Sequence, residues 1–139
     1  MADPREAVIV DGIGYKAFTY VHDDTIVYDS AVLGGSAQVG LAVTLEDDKQ
    51  VSLVGDGEQV EGLLVKVEPG GIAVVQTGGV AVFQGGSGAT LTPGTKIVGA
   101  LGVSSAEGYI KNVTTQHTVS RGTIIDAADP TEVRVRLEL

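Results

Sequence analysis

Residues 41–54 read Leu41-Ala42-Val43-Thr44-Leu45, Glu46-Asp47-Asp48-Lys49, Gln50-Val51-Ser52-Leu53-Val54. Two runs alternate apolar with polar or small residues, and four polar residues separate them. Alternation puts successive side chains on opposite faces of an extended chain, so this stretch predicts a β-hairpin with one buried face. Gly55-Asp56-Gly57 turns the chain again. Gly62–Val67 and Ile72–Thr77 flank Glu68-Pro69-Gly70-Gly71 and predict a second hairpin. Gly78-Gly79 then leads into a separate strand at Val80–Phe83. Further strands are expected at 96–101, 109–113, 122–126 and 132–139. In the last of these, Val133, Val135 and Leu137 face the core, while Arg134 and Arg136 face water or acidic neighbours. Turn signals recur about every 8–12 residues, as a barrel or sandwich requires.

Composition agrees with this pattern. The 139 residues include 22 Val, 8 Ile, 12 Thr and 20 Gly but only 4 Pro. Branched side chains suit a pleated, half-buried surface, and glycines supply the turns. The expected fold is all-β: a small β-barrel or sandwich of short Val/Gly-rich strands (β-tulip or SH3-like), preceded by an extended N-terminal arm. The arm is assigned to residues 1–30 and the barrel to 31–139. Ala31–Gly40 reads as a loose connection, and Gly85-Gly86-Ser87-Gly88 as a flexible hairpin tip.

The arm differs in kind from the rest. Tyr15, Phe18, Tyr20 and Tyr28 are four of the six aromatic residues. Residues 1–62 hold 12 acidic and 3 basic side chains, whereas residues 63–139 hold six of each. In Tyr15–Val21, Lys16, Phe18 and Tyr20 fall on one face and Tyr15, Ala17, Thr19 and Val21 on the other. Neither face is purely polar, so the segment calls for cover on both sides.

A net charge of −9 argues against nucleic acid or an anionic membrane as partner, since both reward clustered Lys and Arg. With no cysteine there are no disulfides and no thiolate metal sites. No apolar run approaches the roughly 20 residues of a membrane-spanning helix, and MADPREAVIVDG lacks the layout of a secretory signal.

Catalytic motifs are weak. His22-Asp23-Asp24 has ligand chemistry, but adjacent residues on an extended chain point apart, and a solvated acidic turn accounts for them. His117 has no neighbouring carboxylate and reads as a loop histidine. Ser87 lacks the strand-turn-helix setting of a nucleophile elbow. Neither Gly34-Gly35-Ser36 nor Gly85–Gly88 precedes the helix that a phosphate loop needs. Lys66 is a strand lysine, away from the turn where a biotinyl or lipoyl lysine would sit. No enzyme activity, metal or cofactor is expected.

Ala37-Gln38-Val39-Gly40-Leu41-Ala42-Val43-Thr44-Leu45, Val51-Ser52-Leu53, Asp56-Gly57, Val60-Glu61-Gly62-Leu63-Leu64, Gly78-Gly79-Val80-Ala81-Val82 and Leu91-Thr92-Pro93-Gly94-Thr95-Lys96-Ile97-Val98-Gly99 occur in that order. Together they resemble the capsid decoration (cement, head-stabilising) proteins of tailed bacteriophages. The resemblance implies a structural protein on the outer capsid surface of the virion, made in the bacterial host cytoplasm. It implies a homotrimer at three-fold or quasi-three-fold positions that binds the major capsid protein and clamps its subunits together. Under that reading Ile9, Tyr15, Phe18 and Tyr20 of the arm contact the capsid. The arm adds a strand to an exposed coat-protein edge, with Phe18 and Tyr20 filling pockets. The alternative is a head-fibre or tail-associated β module that binds host-surface carbohydrate. It calls for clustered exposed aromatics on the barrel loops, where this chain offers Tyr109.

Overall fold

The computed structural model describes residues 16–113 and 120–137. These residues form strands β1 (Lys16–His22), β2 (Ala42–Asp47), β3 (Gln50–Leu53), β4 (Gly62–Glu68), β5 (Ile72–Phe83), β6 (Ile97–Ala100), β7 (Tyr109–Asn112), β8 (Gly122–Asp126) and β9 (Val133–Leu137). Helical structure among the described residues is limited to 3₁₀ turns at Leu33–Gly35 and Val103–Ser105. The all-β expectation holds.

Five strands close a barrel in the order β1-β3-β2-β4-β5, with β5 pairing back onto β1. Both expected hairpins form, β2–β3 with Val43 opposite Leu53 and β4–β5 with Val67 opposite Ala73. Closure leaves fewer strand edges open to unwanted pairing. The interior holds Val43, Val51, Leu53, Leu64, Val67, Ala73 and Val75, and Ile26 plugs it.

The expected break at Gly78-Gly79 is absent, because β5 runs for 12 residues through both glycines. Its first half belongs to the barrel, and its second half pairs with β9, which pairs with β8. Gly79 has φ of +83°, a value that side chains resist, and this lets one strand serve two sheets. The Gln76 side-chain amide spans the site, donating to Gly78 O and Val80 O at 3.0 Å each.

A second core forms where β8, β9 and the end of β5 meet the β6–β7 hairpin. It contains Phe83, Ile97, Ile110, Ile124, Val133, Val135 and Leu137. The two cores share a wall. On β2, Val43 faces the barrel while Ala42 faces the second core; on β4, Leu64 and Leu63 divide in the same way. This is the two-residue periodicity of a strand buried on both faces. On β9 the valines and Leu137 are buried, and exposed Arg134 lies 3.3 Å from Asp126 on β8.

Three expectations are corrected. The first is the arm boundary: within residues 1–30, β1 is a barrel strand, paired with β5 from Lys16 to Val21. Of its side chains Tyr20 packs against the barrel core, while Phe18 and Val21 stay exposed. The second is the loose connection at Ala31–Gly40, which is knitted to the body. Gly40 N–H donates to Leu64 O at 2.8 Å, Ser36 is buried, and Gln38 Oε1 accepts from Val27 N–H at 3.1 Å and from Ser36 Oγ at 2.7 Å. Gly35 packs so tightly that a Cβ there would lie 2.0 Å from Val67 O. The third is the flexible tip at Gly85–Gly88. Gly85, Gly86 and Ser87 donate to Pro130 O, Ile110 O and Leu101 O at 2.7, 2.9 and 2.9 Å, so this loop ties β5 to the second core.

Candidate functional site

Of the four residues expected to contact a partner, Ile9 and Tyr15 lie outside the described residues, as does His117. Phe18 and Tyr20 both sit on β1 but have different surroundings. Phe18 is 50% exposed. Tyr20 packs against the barrel core, and its hydroxyl donates to Glu61 Oε2 at 2.8 Å. Tyr20 is thus engaged within its own barrel.

Glu61 precedes β4 and is itself buried. Its other carboxylate oxygen, Oε1, lies 3.1 Å from Nη1 of Arg121, which precedes β8. Burial and the Glu61 carboxylate push the Tyr20 phenol up to about 12. A cavity of about 180 Å³ beside this triad is lined by Thr44, Leu45, Gln59, Glu61 and Arg121. The triad joins β1, β4 and β8, and its chemistry is that of a structural clamp.

The backbone of β1 is paired unevenly. His22 N–H donates to Gly71 O at 3.1 Å on the β5 side. Val21 N–H donates to Lys49 O at 2.9 Å, and Asp23 N–H to Val51 O at 3.1 Å, both on the β3 side. Pairing with β3 is limited to Val21 and His22. Amide direction alternates along a strand, so Thr19 N–H points the same way as Val21 N–H, beyond the start of β3. Lys16, Ala17, Phe18 and Thr19 are all exposed.

Carboxylates gather at the far end of this edge. Asp23, Asp24 and the β2–β3 turn residues Glu46, Asp47 and Asp48 lie there. Desolvation, then the charge and hydrogen bond of Asp23, then Asp47 and Asp24 raise the Glu46 carboxyl above its ordinary value. Asp23 Oδ1 accepts from Thr25 N–H at 3.0 Å and from Thr25 Oγ1 at 2.5 Å, which makes it a turn-forming residue. His22 Nδ1 lies 2.8 Å from Asp23 O. Among the described residues no group of three His, Cys, Asp or Glu side chains is placed to hold a metal ion.

Two open clefts lie elsewhere. One, of about 410 Å³, is lined by Tyr28, Ser30, Val32, Lys66, Glu68 and Pro69. Lys66 is the expected solvent-facing strand lysine, 3.3 Å from Glu68. The other, of about 400 Å³, holds Ser87, Thr90, Leu101, Asn112 and the Lys111–Asp56 pair, whose charged atoms are 2.7 Å apart. Leu33 and Val103 project into solvent at 97% and 78% exposure.

No protein-family profile and no curated protein sequence matches the chain. Among solved structures, the crystal structure of the head fibre gp8.5 N base of bacteriophage phi29 superposes with a TM-score of 0.51. The overlap covers 89% of this chain and 94% of that one, at 18% sequence identity. In fold, this chain is similar to a phage head-fibre base. The match spans nearly the whole of both chains, so it takes in the second core as well as the barrel.

The Tyr20–Glu61–Arg121 clamp lay beyond sequence reasoning, because its members come from three distant segments. The Tyr28 cleft carried a partial signal in the N-terminal aromatic bias.

Proposed function

We propose that this chain is a structural protein of a tailed-phage head, seated on the outer capsid surface of the virion. The observation that carries the reading is the near end-to-end likeness in fold to a head-fibre base. The sequence pattern of residues 37–99, which resembles capsid decoration proteins, supports it independently. In this reading the protein acts as a cement: it binds the major capsid protein and braces neighbouring subunits, with no bond-making chemistry and no cofactor. Assembly as a homotrimer at three-fold or quasi-three-fold positions gives cover to side chains such as Leu33 and Val103. An acidic surface keeps the protein off packaged DNA.

The test is re-addition. Heads from a phage deleted for this gene are mixed with purified protein and sedimented. The reading predicts saturable binding at a fixed ratio to coat protein and heads that withstand more heat before releasing DNA. Heads that neither bind the protein nor gain stability contradict it.

A second reading, a head-fibre module that binds host-surface carbohydrate, is favoured by the same structural neighbour and by the open cleft beside Tyr28. An aromatic face beside Ser30, Lys66 and Glu68 offers stacking and hydrogen bonding to a sugar. Binding to host cell-wall glycan rather than to heads distinguishes it.

A further inference from the structure

We propose that the open edge of β1 at Ala17–Thr19 docks an extended, basic peptide segment of a partner protein, which adds as a strand to the barrel. For the partner's identity as a coat subunit this rests on the head role proposed above; the edge itself does not.

The backbone supplies the first argument. A strand edge with unpaired N–H and C=O groups is a ready template for another chain. Here β5 fills one side of β1 from Lys16 to Val21, but β3 fills the other only at Val21 and His22. Among the described residues, Thr19 N–H has no acceptor on that side. Edges are commonly blunted by a proline, an inward charge or an exposed lysine; exposed Lys16 stands at the start of this edge, and Ala17, Phe18 and Thr19 carry none of these. Phe18 adds apolar area at the same place, half exposed and available to an incoming side chain.

Charge selects the occupant. A strand laid along Thr19 toward Val21 ends at Lys49 O, beside the five mutually repelling carboxylates of Asp23, Asp24, Glu46, Asp47 and Asp48, with Lys49 the one cation of that turn. Lys or Arg on the incoming strand relieves that repulsion. A second copy of this chain does not, because it brings the same carboxylates and a net charge of −9. The occupant is therefore a cationic extended segment, held by main-chain hydrogen bonds and by Phe18.

The experiment uses the ¹⁵N-labelled full chain and two end-capped decapeptide probes, one of alternating Lys and Val and one of alternating Glu and Val. With the Lys-Val probe, the expected result is amide shifts centred on Ala17 and Thr19, with Thr19 hydrogen exchange slowed by about tenfold or more. Raising salt from ~0.05 to ~0.5 M weakens the binding, and the Glu-Val probe does not bind. Thr19→Pro removes only an N–H that faces away from β5, so it keeps the barrel and loses the peptide. Should that variant unfold, the exchange rate of Thr19 in the unmodified chain decides. Shifts confined to another surface, equal binding of both probes, or an unprotected Thr19 amide overturns the proposal. Head attachment without peptide binding overturns the edge and leaves the head role standing; peptide binding without head attachment does the reverse.

Discussion

Tyr20 Oη donates to Glu61 Oε2 at 2.8 Å, and Glu61 is held from its other oxygen by Arg121. One buried carboxylate thus joins the first strand of the barrel to the segment that enters β8. A buried carboxylate is tolerable only with its partners in place, so the triad behaves as a unit.

Tyr20→Phe removes the donor and leaves Glu61 with Arg121 alone. The expected cost is about 1–3 kcal/mol, read from urea unfolding. Glu61→Ala costs more than Tyr20→Phe, because it removes the Arg121 ion pair and leaves the partly buried Tyr20 hydroxyl without its acceptor. Combining the two substitutions costs less than the sum of the singles.

The Tyr20 phenol also makes a pH prediction. Its value is raised from 10.0 to about 12, so the folded state favours the neutral form. This contribution to stability is intact below about pH 10 and is lost as pH climbs through 12. Absorbance titration of phenolate should show a late step near pH 12. That late step should be missing from Tyr20→Phe.

The acidic edge predicts an effect of the same sign at lower pH. The Glu46 carboxyl is raised, so its charged form is disfavoured in the folded protein. Its folding contribution is greatest when the group is protonated and falls as pH rises through its titration. Glu46→Gln should therefore raise the melting temperature at neutral pH and low salt. The gain should shrink as salt is added.

Packing predicts a steep but shared dependence on both cores. Phe83→Ala in the second core should cost about 3–5 kcal/mol, and Leu64→Ala in the barrel about 2–5 kcal/mol. Because β5 runs through both sheets, each variant should still melt in a single transition by calorimetry. Gly35→Ala should cost about 2 kcal/mol or more, since it needs φ of +87° and places a methyl against Val67 O.

Much of this fold was legible from alternation. Residues 41–54 and 62–77 carry both a two-residue period and a clear turn, and both hairpins form where that pattern puts them. On β9, Val133, Val135 and Leu137 separate from Arg134 and Arg136 as written. What was hidden depends on long-range partners. Tyr15–Val21 looks like an arm because apolar residues occur on both faces; that Lys16–Val21 pairs with β5 depends on a strand far along the chain. Gly78-Gly79 looks like a break, yet one positive φ keeps β5 continuous. Among the described residues the edge at Thr19 is open because β3 starts at Gln50, opposite Val21, and pairing lengths are not written in either strand alone. Glu61 and Arg121 lie far apart in sequence, so nothing local announces their contact.

The head role is tested most directly on the virion itself. Cryo-electron microscopy of particles from the phage that encodes this chain should show its barrel and second core as density on the outside of the head, touching coat subunits, at a fixed copy number per shell. Particles whose heads carry no such density, together with mass spectra of the virion that lack its peptides, would contradict the account.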